Sequence, residues 1–348
     1  MTAGADHRDV PRVLDLLARA LDGAGSSVGE LMLVRPPLVT GRSTTYFVGE
    51  IRSRPRFVVK VPVQCRTPVD TDPALSSADQ FEALSRAHRW FQEEDGHSVA
   101  RPVALMGELD ALVIEYVSGR PLPRAVTCAT FAPTSARRAV AAAGDALRRV
   151  HRHGAESPEL VDLPALVRDI LAVEEFTLRR VGVHLPTDVQ RTLAAVPGIE
   201  IPGQRVLVHG DYVPSNLILT DDDHVSMIDP VLARVGLPEE DLARFLAVLS
   251  SDSTFVLGQS LRPLRRLRRE LEETFRVAYG PAATGTVMEL CLIKQHALRW
   301  RRRRELSRLA DHPFLMRARS RVIDGHMRGL LLEAGERLSD ALERLCRT

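Results

Sequence analysis

Three side chains that carry oxygen ligands lie in the segment from Val206 to Pro230: Asp211, Asn216 and Asp229. Short apolar runs separate them, and Gly, Pro and Asp residues interrupt those runs, which predicts a strand, a loop and a hairpin. The hairpin is expected to bring its carboxylate beside the carboxylate and the amide of the loop. Oxygen ligands of this kind bind a hard cation and, through it, a phosphate. The segment therefore indicates phosphate chemistry.

The spacing of His209, Asp211 and Asn216 is H-x-D-x-x-x-x-N, which is the spacing of the catalytic loop in kinases. The loop HGDYVPSN, the IDP that ends the segment and the later PEEDLA resemble motifs of the aminoglycoside phosphotransferase and choline kinase group of small-molecule kinases. The resemblance covers about residues 30–250. It implies an α+β, two-lobed, protein-kinase-like fold, with a small N-terminal antiparallel-sheet lobe and a larger, mainly helical C-terminal lobe.

The resemblance also implies roles for the polar residues of the segment. Asp211 is expected to orient the attacking hydroxyl or to accept its proton. Asn216 and Asp229 are the expected ligands of Mg²⁺, which bridges nucleotide phosphates. His209 is expected to support the loop, and Asp241 either braces it or is an ordinary acidic residue at a helix start. The alternative is that HGDYVPSN is a plain turn without chemistry.

Lys60 is one of only two lysines in a chain whose positive charge is otherwise arginine, the other being Lys294. It lies in the apolar run Phe57–Val61 and resembles the lysine of the V-A-I-K strand, which holds nucleotide phosphates. A lysine that faces solvent on an edge strand is the alternative. Its expected partner is Glu82 on the next helix, with Glu93 and Glu94 near the end of that helix.

Two further segments are candidates for contact with the nucleotide. The turn at 40–45 lacks G-x-G-x-x-G, but its Gly41 and Ser43 lie between two predicted strands and can direct backbone N–H groups at phosphate; an ordinary hairpin turn is the alternative. The connector that contains Glu115 and Val117 is expected to meet the base through its backbone. Such contacts do not distinguish ATP from GTP.

The chain of 348 residues is long enough for two lobes, which we place at 1–116 for nucleotide binding and 117–348 for catalysis and substrate binding. The pattern predicts a helix at 9–22, strands at 31–34, 44–51 and 57–63, a helix at 77–94, and strands at 99–106 and 111–117. After residue 118 we expect only helices outside the opening segment, at about 134–152, 162–181, 186–195, 239–251, 259–279, 283–308 and 315–346. A cleft between the lobes is expected to bind the ligands.

Composition disfavours several classes of protein. The net charge of +2 and the lack of a known module argue against nucleic-acid binding, and no apolar run is long enough to span a membrane. The N-terminal segment does not have the pattern of a secretion signal, and four widely spaced cysteines suit a cytoplasmic protein with reduced thiols. Two arginine runs, at 262–269 and 299–304, are interpreted mainly as solvated helix faces, with substrate contact as the alternative.

The expected function is transfer of the γ-phosphoryl group of ATP or GTP, with Mg²⁺, to a hydroxyl of a small molecule. An antibiotic of aminoglycoside, nucleoside or macrolide type is the leading acceptor, in resistance or self-protection, and the arginine-rich helices favour a neutral or anionic one. A metabolic kinase of choline, an amino alcohol or a sugar is the first alternative. A nucleotide-binding pseudokinase is the second, and the sequence leaves the oligomeric state open.

Overall fold

The computed structural model of the chain describes residues 10–26, 28–40, 43–51, 54–62, 76–92, 96–307 and 313–347. The chain forms two compact units: Met1–Gly119 with Ser226–Ala233, and Arg120–Val225 with Arg234–Thr348. The segment that contains Asp229 therefore belongs to the same unit as Lys60, which precedes it by 169 positions. The predicted lobe boundary at 116 stays a prediction.

The first unit contains a five-stranded antiparallel sheet in the order β1-β2-β3-β6-β5. A short parallel pair, β4 with β11, lies outside that sheet. The elements of the unit are α1 (Val10–Gly23), β1 (Met32–Val39), β2 (Ser43–Gly49), β3 (Phe57–Pro62), α2 (Ser77–Gln92), β4 (Ser98–Val99), β5 (Pro102–Met106), β6 (Ala111–Glu115) and the later β11 (Val225–Met227).

The core of this unit explains the placement of Lys60. Helix α1 buries one stripe, which includes Leu17 and Leu21, against apolar residues of the sheet. On β3, Phe57 and Val59 point into this core. Because side chains alternate across a strand, Lys60 lies on the opposite face of the sheet and stays partly exposed.

The second unit is mainly helical, which, together with the sheet of the first unit, confirms the predicted α+β fold class. None of the helices in the described part of the chain is long and apolar enough to cross a membrane. The helices are α3 (Leu122–Thr127), α4 (Pro133–His153), α5 (Leu163–Val173), α6 (Thr187–Ala194), α7 (Pro238–Ser250), α8 (Ser253–Leu257), α9 (Arg262–Tyr279), α10 (Thr286–Ser307) and α11 (Pro313–Leu345).

The expectation of helices alone outside the opening segment is wrong. The additional strands are β7 (Arg120–Pro121), β8 (Ala155–Asp162), the first part of β9 (Glu200–Leu207) and β12 (Val235–Gly236), whereas β10 (Leu217–Leu219) lies in the opening segment, where a strand was predicted. β8 pairs with β9 and β9 with β12, all antiparallel. The sequence of β8, AESPELVD, has little strand propensity and is almost wholly exposed, so long-range pairing and not local pattern makes it a strand. The predicted helix at 162–181 is also interrupted, by a π-turn at Glu174–Leu178 and a 3₁₀ turn at Arg179–Val181.

Helix α7 lies in the core of the second unit and packs against α9 and α10. The ring of Phe245 stacks on that of Phe275, with centroids 4.1 Å apart, and also contacts Tyr212 at 5.7 Å. All three rings are fully buried. Aromatic pairs add to the stability gained from burial itself, so this cluster holds the loop that contains Asp211 to α7 and α9.

Close packing of α4 on α9 requires glycine at position 144. A Cβ atom there would lie 2.7 Å from the carbonyl oxygen of Phe275. Gly144→Ala should therefore destabilise the protein by about 1–2 kcal/mol, because overpacking outweighs the gain of about 1 kcal/mol in helix propensity. Gly329→Ala on α11, where nothing lies within 4 Å, is the control and should be stabilising. Urea unfolding measures both, and equal stability of the two variants would contradict the packing argument.

Candidate active site

Lys60 and Asp229, both predicted as site residues, form a salt bridge. Lys60 Nζ donates to Asp229 Oδ2 at 2.6 Å, and each side chain is about 30% exposed. Strand β3 delivers the lysine, and the turn after β11 delivers the aspartate. Because the pair is open to solvent, it contributes little to stability. The two charges remain accessible to a nucleotide phosphate and to a cation.

The structure does not bring Glu82 to Lys60. The buried stripe of α2 consists of Ala83, Leu84 and neighbours a turn away, whereas Glu82 lies beside this stripe and is exposed. In the described part of the chain, the carboxylate partner of Lys60 is Asp229. The other two glutamates considered for this role, at positions 93 and 94, lie outside the described residues.

Of the predicted phosphate-covering loop, Gly41 lies outside the described residues and Ser43 begins β2. Ser43 is buried, and its backbone N–H donates to Thr40 Oγ1 at 3.0 Å. The Thr40 N–H donates in turn to the Ser43 carbonyl oxygen at 2.9 Å. Ser43 therefore closes the turn, and its contact with phosphate stays a prediction.

The connector residues have different environments. The side chain of Glu115 is exposed and accepts a hydrogen bond from Arg101 Nε at 2.9 Å. Its carboxylate therefore forms an ion pair within the first unit. Tyr116 continues the pairing through its N–H, which donates to the Arg56 carbonyl oxygen at 2.9 Å. The backbone of Val117 has no hydrogen-bond partner among the described residues. Val117 can therefore offer both backbone groups to a base.

In the second unit, the side chains of Asp211 and Asn216 are in direct contact. Asn216 Nδ2 donates to the carbonyl oxygen and to Oδ2 of Asp211, both at 3.0 Å. Its Oδ1 atom accepts no hydrogen bond from the described residues. A free amide oxygen of this kind is a suitable ligand for Mg²⁺.

A third side chain, Arg244 of α7, was not predicted from the sequence. Its Nη1 atom donates to Asp211 Oδ1 at 3.3 Å. Both carboxylate oxygens of Asp211 are thus held, one by Asn216 and one by Arg244. No sequence pattern distinguished it from the other arginines of the predicted helices.

Asp241 braces the catalytic loop. Its carboxylate is buried and accepts from the backbone N–H groups of His209 at 2.6 Å and of Gly210 at 2.9 Å. Gly210 has φ of 83°, a conformation that favours glycine. Burial alone would raise the pKa of Asp241, but the hydrogen bond and charge of His151 and the contacts of the loop hold that pKa below its ordinary value. The carboxylate is therefore kept ionised.

His209 supports the loop, as expected. Its Nδ1 atom accepts from the Asp211 N–H at 3.3 Å, and its buried ring meets Tyr212 edge-on at 5.0 Å. The Tyr212 hydroxyl donates to the Ala143 carbonyl oxygen at 2.6 Å. Residues on both sides of Asp211 are therefore fixed in the core.

The brace extends to α4 and α9. His151 Nε2 lies 3.1 Å from Asp241 Oδ2, and its Nδ1 lies 2.8 Å from the Tyr279 hydroxyl. All three side chains are buried. Neither His151 nor Tyr279 was found from the sequence, because each is a single polar residue on a helix far from the motif.

Each of the two units contributes one side chain whose oxygen atoms are suited to bind Mg²⁺. Asp229 offers a carboxylate and Asn216 a free amide oxygen, which are the hard ligands that this ion prefers. No group of three or more His, Cys, Asp or Glu side chains gathers at metal-binding distances within the described ranges. A cation bound to either side chain would take its remaining ligands from phosphate and water.

A lysine–aspartate pair beside an antiparallel sheet, and a braced H-x-D loop in a helical unit, are features of kinase-like phosphotransferases. The model of the phosphotransferase enzyme family (APH) matches residues 35–287, and the chain belongs to that family. This confirms the family predicted from the three motifs and shows that the chain is a phosphotransferase. No significant match is found among curated proteins.

Solved structures show the same fold at low sequence identity. A choline/ethanolamine kinase family protein from Mesorhizobium loti is 16% identical, over 93% of this chain and 98% of that chain, with a TM-score of 0.51. Choline kinase from Cryptosporidium parvum is 12% identical, over 95% and 99%, with a TM-score of 0.52. A glucosamine kinase is 16% identical, over 93% and 85%, with a TM-score of 0.50. At these identities the likeness concerns the fold.

One buried carboxyl near the brace predicts a pH effect on stability. Glu239 Oε2 is buried without a hydrogen-bond partner among the described residues, and burial raises the Glu239 pKa to about 7. The protonated carboxyl therefore stabilises the fold below about pH 4.5, and this stabilisation is lost as the pH rises to about 7.

Relative to the wild type, Glu239→Gln should gain up to about 3 kcal/mol of unfolding free energy between pH 4.5 and pH 8. Urea unfolding across this range measures the difference, with exposed Glu273→Gln as the control. A constant difference across the range would show that the carboxyl is ionised at all these pH values.

Proposed function

We propose that the protein transfers the γ-phosphoryl group of ATP or GTP to a hydroxyl group of a small molecule. The acceptor oxygen forms a bond to the γ-phosphorus, the bond from the γ-phosphorus to the bridging oxygen breaks, and the nucleoside diphosphate leaves. The hydroxyl proton passes to Asp211 or to water. The geometry of Asp211 carries the proposal: Asn216 and Arg244 hold its carboxylate, and Asp241 braces its loop.

In this proposal Asp211 orients the attacking hydroxyl, since positioning provides most of what a phosphoryl transfer requires. Lys60 binds the α- and β-phosphates, which replace Asp229 as its partner when the nucleotide is present. Bound Mg²⁺ would offset the charge of the phosphates, with Asp229 and Asn216 as its protein ligands.

The predicted acceptor is a hydroxylated small molecule, with an antibiotic in a resistance or self-protection role as the leading candidate. Choline, an amino alcohol or a sugar is the alternative acceptor. We also propose a cytoplasmic location, where nucleoside triphosphates are abundant. Arg244 beside Asp211 disfavours an acceptor with a cationic group next to the reacting hydroxyl.

Incubation with Mg²⁺, ATP or GTP and a panel of hydroxylated compounds, followed by mass spectrometry, tests the activity. Normal nucleotide binding without any transfer would favour the pseudokinase.

Replacement of the proposed base separates catalysis from nucleotide binding. Asp211→Asn should lower kcat by about 10²–10⁴-fold, since a positioned acid or base contributes about that much, while nucleotide affinity stays close to that of the wild type. Steady-state kinetics and calorimetric nucleotide titration measure the two effects. Asp221→Asn, an exposed change in the neighbouring hairpin, is the control. Full activity of Asp211→Asn would remove Asp211 from the reaction.

The two lysines of the chain form a matched pair for a second test. Lys60→Met should weaken nucleotide binding by about 10-fold or more, because a charge-assisted contact with phosphate is lost. Lys294→Met removes a lysine paired with Asp169 between α10 and α5 and should leave that affinity unchanged. Asp229→Asn should weaken binding only when Mg²⁺ is present. Equal effects of the two lysine variants would contradict the role of Lys60.

A further inference from the structure

The two arginine runs have different surroundings in the second unit. On α9, the arginines are largely paired with carboxylates, as a solvated or structural helix face would be. Even the deeply buried ones have such partners: Arg268 binds Glu272 and Glu333, and Arg276 binds Glu289. This is the usual requirement for burying a charge.

On α10, Arg299 and Arg303 depart from this rule. Neither has a carboxylate within ion-pair distance among the described residues, whereas Arg301 and Arg304 on the same helix pair with Glu305 and Asp324. Arg299 Nε donates to Ser251 Oγ at 3.0 Å, and Arg303 Nη2 donates to a backbone oxygen of the same serine. The Arg303 Nε atom is buried with no partner in the described part of the chain.

Other charges nearby do not neutralise the two guanidinium groups. Arg302 and Arg319 are exposed cations close enough to act on them, and Asp252 is the opposing anion. Asp252 keeps its single negative charge while its carboxylate caps α8 through the Thr254 N–H at 2.9 Å, so it offsets only one of the four guanidinium charges. Burial and the neighbouring guanidinium groups lower the Arg299 pKa to about 10. The site therefore has an excess of positive charge.

The position of this site relative to Asp211 follows from helix geometry. Arg244, which contacts Asp211, and Ser251, which contacts Arg299 and Arg303, are seven residues apart along α7 and its C-terminal end. Seven residues make close to two turns, so the two positions share one face of the helix. Their backbone atoms lie about 10 Å apart along the helix axis.

An accessible strip runs beside these two positions, although Ser251 itself is buried. Along α7 from Asp241 to the helix end, only Arg244 and Val248 are partly exposed, and Asp252 follows at the same spacing. The strip formed by Arg244, Val248 and Asp252 thus connects the catalytic aspartate to the arginine pair. A molecule lying along it would meet a cation at each end.

We propose that Arg299 and Arg303 form an anion subsite that binds a phosphate, sulfate or carboxylate group of the acceptor, at the far end of this strip from Asp211. This inference rests on the proposed function and narrows it to an acceptor that carries an anionic group. Bidentate guanidinium groups suit such oxyanions. A cationic aminoglycoside or choline would meet repulsion at Arg244 and again at this subsite.

A binding experiment tests the subsite without turnover. Inorganic phosphate is titrated by calorimetry, at constant ionic strength, into the wild type, Arg299→Gln/Arg303→Gln and the control Arg266→Gln, which removes an exposed arginine of α9. We expect the double variant to lose one phosphate site that the other two proteins retain. Identical titrations of all three proteins would overturn the proposal.

A kinetic experiment distinguishes an acceptor subsite from a site for free anions. Acceptors are compared in pairs that differ only in an anionic group, such as adenosine with AMP and glucose with glucose 6-phosphate. The wild type should favour the anionic member by about 10-fold or more in kcat/KM, and the double variant should lose that preference through KM. A phosphate site without any such preference would overturn the assignment to the acceptor.

Two further controls separate loss of the anion subsite from loss of folding. Arg299→Lys/Arg303→Lys keeps both charges and should retain part of the preference, and thermal melting reports whether each variant is folded. If the glutamine double variant unfolds, the single variant Arg303→Gln replaces it in both experiments. The preference of the wild type for anionic acceptors then supports or overturns the proposal. If no acceptor is phosphorylated, the proposed function fails, whereas the phosphate titration still supports or overturns the anion site.

Discussion

The order of the loop that contains His209, Gly210 and Asp211 depends on the buried carboxylate of Asp241. It accepts hydrogen bonds from two consecutive loop N–H groups, those of His209 and Gly210, and it lies beside His151. Charge-assisted hydrogen bonds contribute about 1.5–3 kcal/mol each, and burial of a charge costs several kcal/mol. The two terms are of similar size, so the interaction is a weak source of stability. Its effect is to fix the direction of two peptide groups immediately before Asp211.

The remaining freedom of Asp211 is removed by its neighbours along the chain and in space. Gly210 takes a left-handed conformation that lets both amides face Asp241, and Tyr212 anchors the following residue through the Ala143 carbonyl oxygen. Only the side-chain torsions of Asp211 are then left. Asn216 and Arg244 each hold one of its oxygens. In the proposed reaction, a carboxylate positioned in this way loses little entropy when an acceptor binds.

The sequence predicted the parts of this arrangement that are close together in the chain. The H-x-D-x-x-x-x-N spacing located Asp211 and Asn216, and one lysine in an apolar strand located Lys60. The partners of these residues come from distant helices, and no local pattern distinguishes His151 or Arg244 from other helical residues. For the same reason Glu82 was selected from its place on α2, although the structure pairs Lys60 with Asp229. The exposed strand β8 was missed because its pairing with β9, and not its composition, defines it.

In the proposed reaction, the charge next to Asp211 affects how both the phosphoryl donor and the acceptor approach this residue. A carboxylate that orients a hydroxyl also repels the incoming triphosphate, by about 4 kcal/mol for two unit charges 4 Å apart at an effective dielectric constant of 20. Arg244 offsets this repulsion, because it places a permanent cation against the carboxylate at 3.3 Å. The pair can then position the acceptor without opposing the donor. In the proposed reaction Arg244 therefore acts on both substrates: it lowers the repulsion between Asp211 and the triphosphate, and it lowers the attraction of Asp211 for a basic acceptor.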